Sequence, residues 1–186
     1  MPIDETGTEV LAESRAGTVR WRTMVVRPMR AGEQAAVGAV CVAAFRADGK
    51  VSERYFPIAA DVAGRASGAT VLVAECDGEL AGSVTLVLDG GPQAEMADAD
   101  EAELRVLAVA PPWRRRGVAR ALVRACIDAA GDRGRARIVC SCLASMTAAQ
   151  ELYARLGFHR APERDYVRFA GFERQALVLD LRDGGR

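Results

Sequence analysis

At 186 residues the chain is long enough for one ordinary domain with its own core, and it has no need of disulfide staples. Its 25 Lys+Arg balance its 25 Asp+Glu, so no overall field draws it to nucleic acid or to an anionic membrane. No apolar run approaches the roughly 20 residues of a membrane span, and the N-terminus lacks the basic-then-apolar order of a secretory signal, so the expected location is cytoplasmic. Of five cysteines, Cys41, Cys76 and Cys126 fall inside apolar segments and read as reduced packing residues. Cys140 and Cys142 have no second cysteine pair and His159 is the only histidine, so no metal site is expected.

In chain order, residues 1–17 are polar without periodicity and read as a flexible arm ahead of one domain over 18–186. Residues 19–27 support a first strand that Pro28 ends, after which Val37, Val40, Cys41 and Ala44 form one buried stripe of a helix. Between 51 and 66 a second helical stretch is interrupted by Pro57 and Gly64, which predicts short helical pieces. Two β-rich runs, 70–75 and 80–88, flank Asp77 and Gly78, a pair suited to the positive φ angles of a tight hairpin. A polar loop over 90–99 then leads to a strand over 103–109.

That strand enters the run RVLAVAPPWRRRGVARALV, residues 105–123, whose hydrophobic period changes midway. Residues 106–109 suit a buried strand, Pro111 and Pro112 end its pairing for want of an N–H, and Val118, Leu122, Ala125 or Cys126, and Ala129 recur at helical spacing. Between the two halves lie Arg114, Arg115, Arg116 and Gly117, so the unpaired N–H groups of a helix start meet a cluster of guanidinium groups. Gly117 and Ala119 are small enough to let a ligand approach the main chain. A solvated basic turn is the plain alternative; strand, glycine and helix together favour a pyrophosphate. There is no Gly-Lys-Ser/Thr and no Gly-x-Gly-x-x-Gly between strand and helix, which argues against a nucleotide-binding protein.

A strand over 136–143 follows, and strand, helix, strand implies a parallel pair with a right-handed crossover. Thr147 and Gln150 fit a capping box at the start of another helix, which Gly157 closes. Residues 158–160 and 175–181 read as the last two strands, joined by a charged connection over 161–174. The order is β-α-α-β-β-β-α-β-α-β-β, with no internal repeat.

Arg114, Gly117 and Ala119, placed after a strand ending in LAVAP, and the string LYARLGF at 152–158 resemble the two signatures of the GCN5-related N-acetyltransferases, the GNAT family. The element order agrees with that family over about 19–181. The resemblance implies an α/β (α+β), single-domain GNAT-like fold, with a mixed central sheet of about seven strands splayed between the fourth and the fifth. It also implies direct transfer of an acetyl group from acetyl-CoA to a primary amine of a small molecule or peptide. In that scheme Arg114, Arg115, Arg116, Gly117, Val118, Ala119 and Arg120 hold the pyrophosphate. Leu107, Ala108 and Val109 offer main-chain contacts to the pantetheine arm, and an N–H near Val109 polarises the thioester carbonyl.

The same resemblance makes Tyr153 the general acid for the leaving thiolate and Glu103 a base acting through water. On packing grounds Tyr153 reads as a core tyrosine with a tethered hydroxyl. Glu103 reads as a sheet-edge acid or a partner of Arg105, with Asp100 and Glu101 as neighbouring candidates for the base if the strand bulges. Met146 stands where relatives commonly carry an asparagine that contacts the CoA arm, and a thioether donates no hydrogen bond. A longer acyl-CoA as donor and a catalytically silent CoA-binding sensor are the alternatives. No nucleic-acid or membrane partner is expected, and a homodimer is allowed.

Overall fold

The computed structural model describes residues 8–9, 23–169 and 172–181. Most of the expected arm and residues 19–22 of the expected first strand lie outside them. The strands are β1 (Thr8–Glu9), β2 (Met24–Pro28), β3 (Thr70–Cys76), β4 (Glu79–Val87), β5 (Glu101–Val109), β6 (Arg137–Cys142), β7 (His159–Arg160), β8 (Tyr166–Val167) and β9 (Glu173–Asp180). The helices are α1 (Gln34–Asp48), α2 (Phe56–Ala60), α3 (Val62–Ala66), α4 (Val118–Asp132) and α5 (Thr147–Arg155). The strand order in the sheet is β1-β2-β3-β4-β5-β6-β9-β7, with β8 pairing β9. The two strands beyond the expected seven, β1 and β8, are each two residues long. β8 pairs antiparallel with the start of β9, within the charged connection expected over 161–174.

Asp77 and Gly78 make the β3–β4 turn with φ of 50° and 85°, as the dipeptide demands. The broken stretch before β3 becomes a 3₁₀ turn, Glu53–Tyr55, and two five-residue helices, with Pro57 in the first turn of α2, where no N–H is needed. The capping box does not form. Met146, not Thr147, occupies the N-cap of α5, because its own N–H closes a turn onto the Leu143 carbonyl and starts the helix one residue early. Gln150 instead donates from Nε2 to the carbonyls of Leu143 and Ala144, which ties the helix to the end of β6.

Period-two alternation sorts β3 cleanly: Leu72 and Ala74 pack toward α4 and α5, whereas Val71 and Val73 pack toward α1, α2 and α3. β5 begins with Ala102 and Leu104 on the α4 side, yet Val106 and Ala108 lie on the α1 side and Leu107 and Val109 on the α4 side. The switch comes from a bulge. The register passes from Thr85 opposite Arg105 to Ser83 opposite Ala108, so Val84 faces two residues, and Val106 adopts φ 50°. A β-branched residue in the left-handed region is strained, and here that strain resets which side chains face which layer.

β5 and β6 are parallel, paired from Glu101 opposite Arg137 to Leu104 opposite Cys140. From Arg105 onward β5 continues beside β4 alone, while β6 stays with β9. The sheet therefore splits just where the bulge lies.

Candidate active site

The split strands open a cleft of about 600 Å³ whose floor is Leu107, Ala108 and Val109, whose walls come from α5 and the end of α1, and whose head is the turn into α4. Ala110 donates to the Ala81 carbonyl and Ala108 lies opposite Ser83, so strand alternation turns the N–H and C=O of Leu107 and Val109 away from β4 and into the gap. An extended ligand can add to this edge as a further strand would.

Gly117 is the N-cap of α4 with φ 85°; it has no side chain to cap the helix, and no acid stands in the first turn. The first N–H groups of this 15-residue helix, at Val118, Ala119 and Arg120, thus have no side-chain cap among the described residues. Arg115 also takes a left-handed conformation, φ 60°. A Cβ on Gly117 would meet nothing within 4 Å, so the glycine is required by its backbone angle and not by crowding.

The four arginines divide. Arg115 and Arg120 line the cleft and are exposed, and neither forms a salt bridge among the described residues, although Asp48 and Glu151 line the same cleft. Arg114 also lines the cleft, but its guanidinium is committed, donating to the carbonyls of Ala44 at 2.6 Å and Val109 at 3.4 Å; it fastens the turn to the end of α1. Arg116 lies over the Trp113 ring at 5.4 Å and does not line the cleft. Leu152, the first residue of the LYARLGF string, lines it as well, as do Lys50 and Phe45, which were not singled out from the sequence. Phe45 sits in α1 and Lys50 just after it, a stretch without a motif, and only the tertiary fold brings them there.

A recess of about 60 Å³ leads inward from this cleft, sharing Phe45, Leu107, Met146 and Ala149 with it and reaching Tyr153, Val106, Tyr55 and Arg174. Tyr153 projects from α5 and is 4 % exposed, its ring 5.3 Å from that of Phe158. Burial pushes its phenol well above the ordinary range, helped by the nearby thiols of Cys140 and Cys142 and opposed by Arg174. The hydroxyl is therefore a proton donor at any working pH. Met146 stands at the junction of cleft and recess, where it offers packing but no donated hydrogen bond.

Glu103 lines neither cavity. It is 1 % exposed, and its Oε2 accepts from the main-chain N–H groups of Glu95, Met96 and Ala97 at 2.8, 3.0 and 3.2 Å. Burial raises its pKa, while those N–H groups and Arg105 pull the other way. The Arg105 Nε is 3.9 Å from Glu103, but its guanidinium is spent mainly on Glu95 and the Gln93 carbonyl. Glu101 is also buried, held by Arg164 through two bonds of 2.9 and 2.7 Å. The structure thus brings the loop residues, the strand edge and Tyr153 together, and sets both β5 glutamates apart from them.

The profile described as the Acetyltransferase (GNAT) family matches residues 34–158, which spans the first helix, the cleft and Tyr153. The chain belongs to that family. It is accordingly an N-acyltransferase with acetyl-CoA as cosubstrate. No curated protein matches the chain in sequence. Similar solved structures include yncA from Salmonella typhimurium with its cofactor acetyl-CoA, 22 % identical, TM-score 0.61, covering 88 % of this chain and 96 % of that one. The ribosomal-protein-S18-alanine N-acetyltransferase from Escherichia coli is 23 % identical, TM-score 0.62, over 85 % of this chain and 94 % of that one. The paia N-acetyltransferase from Thermoplasma acidophilum, in complex with coenzyme A, is 14 % identical, TM-score 0.67, over 84 % and 98 %.

Proposed function

We propose that the protein transfers the acetyl group of acetyl-CoA directly to a primary amine of a small molecule or peptide, in the gap between β5 and β6. The observation that carries this reading is the sequence of three features along the cleft and its adjoining recess: a helix N-terminus without a side-chain cap beside two exposed arginines, a strand edge turned from its neighbour, and a buried phenol beyond them. Bound there, acetyl-CoA supplies an activated acyl carbon. Arg115, Arg120 and the first N–H groups of α4 hold a pyrophosphate by charge and hydrogen bonds. Leu107 and Val109 fix an extended arm along the strand edge, and the Val109 N–H is the candidate for the thioester oxygen. The ammonium first loses one proton to water; the new N–C bond then forms as the C–S bond breaks, the Tyr153 hydroxyl gives its proton to the leaving sulfur, and the second proton released from nitrogen restores the phenol.

Calorimetry tests the cofactor site. The wild-type chain is expected to bind acetyl-CoA in the micromolar range, and Gly117→Glu to abolish binding in a folded protein. It places a negative charge at the anion site and a side chain where φ is 85°. Unchanged affinity in the variant would move the site elsewhere.

A further inference from the structure

The recess beyond the thioester position carries a cation that pairs with no carboxylate among the described residues. Arg174 opens β9 and lines the same small cavity as Tyr153 and Leu107. Its Nε donates to the Ser141 hydroxyl at 3.1 Å and its Nη2 to the Ser141 carbonyl at 2.7 Å, both neutral acceptors. Its guanidinium carbon lies 5.4 Å from the Phe172 ring, so one face is covered. Among the described residues Arg174 has no carboxylate partner, and its Nη1 has no acceptor. The contrast with its neighbours is direct: Arg105 and Arg168 both pair with Glu95, Arg160 with Asp165, and Arg164 with Glu101. Every other arginine around this end of the sheet has an acid; the one that faces the recess does not.

A half-buried guanidinium held by two neutral bonds keeps a strong, directed preference for an anion, because its remaining N–H groups lose water without gaining charge compensation. It also repels a second positive charge in an acceptor. The recess, about 60 Å³, admits a compact group beside the reacting amine. Phe45 and Tyr55 line it with rings 5.2 Å apart and give it an apolar wall, and Phe172 and Phe169 continue the row of rings behind Tyr55 at 5.5 and 4.6 Å.

We propose that the acceptor is a free amino acid or a like zwitterion, a primary amine with a carboxylate close to it, and that Arg174 binds the carboxylate while the amine faces the thioester. This rests on the acetyl-transfer reading above and deepens it. The balance is simple: the acceptor enters as ammonium and carboxylate, loses one proton to water and gains the acetyl group, leaving an N-acetyl carboxylate and free CoA thiol. Polyamines and aminoglycosides, which bring additional positive charge, are disfavoured at this site. A peptide N-terminus presents an uncharged amide where the carboxylate would lie.

The test is CoA-thiol release with matched acceptors: the common L-amino acids, their carboxamides, and the corresponding decarboxylated amines. For the preferred side chain, kcat/KM for the acid is expected to exceed that for its carboxamide by at least about tenfold, the scale of a charge-assisted contact. Arg174→Gln should bring that ratio close to one, and Arg174→Lys should retain part of it, with melting temperature and acetyl-CoA affinity measured in both. A purely structural Arg174 would lower all rates together and leave the acid-to-amide ratio intact, which would overturn the proposal. Equal or better turnover of carboxamides or simple amines by the wild type would overturn it too. Acetyl-CoA binding with no turnover in any of the three sets would refute the amino-acid acceptor alone, whereas loss of acetyl-CoA binding itself would refute the underlying reading.

Discussion

Tyr153 and Glu103 are both buried acids whose charged forms are penalised by burial, yet their surroundings give them different work. Tyr153 touches the recess, so its proton is available to a leaving thiolate. The same burial that keeps it protonated makes the donation favourable only when the thiolate is equally poorly solvated. Tyr153→Phe is expected to keep acetyl-CoA affinity and lower kcat by something like 10²-fold, read by steady-state kinetics beside calorimetry. Glu103 spends its carboxylate on three main-chain N–H groups of the 95–97 loop. Glu103→Ala should therefore lower stability by roughly 1–2 kcal/mol, because three part-buried donors lose their acceptor. Glu103→Gln, whose amide oxygen still accepts, should lose less and keep the wild-type pH–rate profile. A folded Glu103→Gln that loses the rise of rate with pH would make Glu103 the base after all.

At the scale of elements, α1 is anchored by a charge cluster rather than by a side-chain N-cap. Glu33 accepts from the Arg30 N–H at 2.7 Å and pairs with Arg27, which also holds Glu75 across β2 and β3. The Arg27 hydrogen bond is the chief reason that the Glu33 carboxyl falls to about 2, against the cost of burial. A carboxyl with a depressed folded-state pKa adds stability that is fully present above its unfolded value, near 4.5, and is lost as pH falls toward 2. The melting temperature of the wild type should therefore fall across that window. Glu33→Gln should melt lower at neutral pH and show a shallower acid limb. A parallel acid limb in the variant would mean that other carboxylates carry it.

For the whole molecule, the cleft is as firm as the packing behind it. A Cβ on Gly82 would lie 2.7 Å from the Ala108 carbonyl oxygen and 3.2 Å from Val118. Gly82→Ala must therefore push β4 away from β5 and from the first turn of α4, the two elements that form the floor and head of the cleft. The expected cost is about 1–3 kcal/mol of stability, with acetyl-CoA affinity weakened in the same variant. Differential scanning fluorimetry and calorimetry on one preparation read both. A loss of stability with affinity untouched would show that strain at β4 does not reach the cleft.

The sequence alone carried the order of the elements, the Asp77-Gly78 hairpin, the helix start at Gly117 and the placing of Tyr153 before Gly157, since each depends on local periodicity or on the backbone angles of a few neighbours. It left open what the bulge would do. One inserted residue near Val106 reverses the facing of the rest of β5, and nothing in the alternation of apolar residues marks it, because both faces of that strand are covered. It also left open how the arginines divide: Arg114 and Arg116 are spent on Ala44, Val109 and Trp113, whereas Arg115 and Arg120 stay free, an outcome of contacts that span 70 residues in the case of Ala44. Only the folded sheet sets Arg174, far down the chain and without a motif, beside Tyr153 with no carboxylate partner among the described residues, because charge pairing is decided by proximity in space and not along the chain.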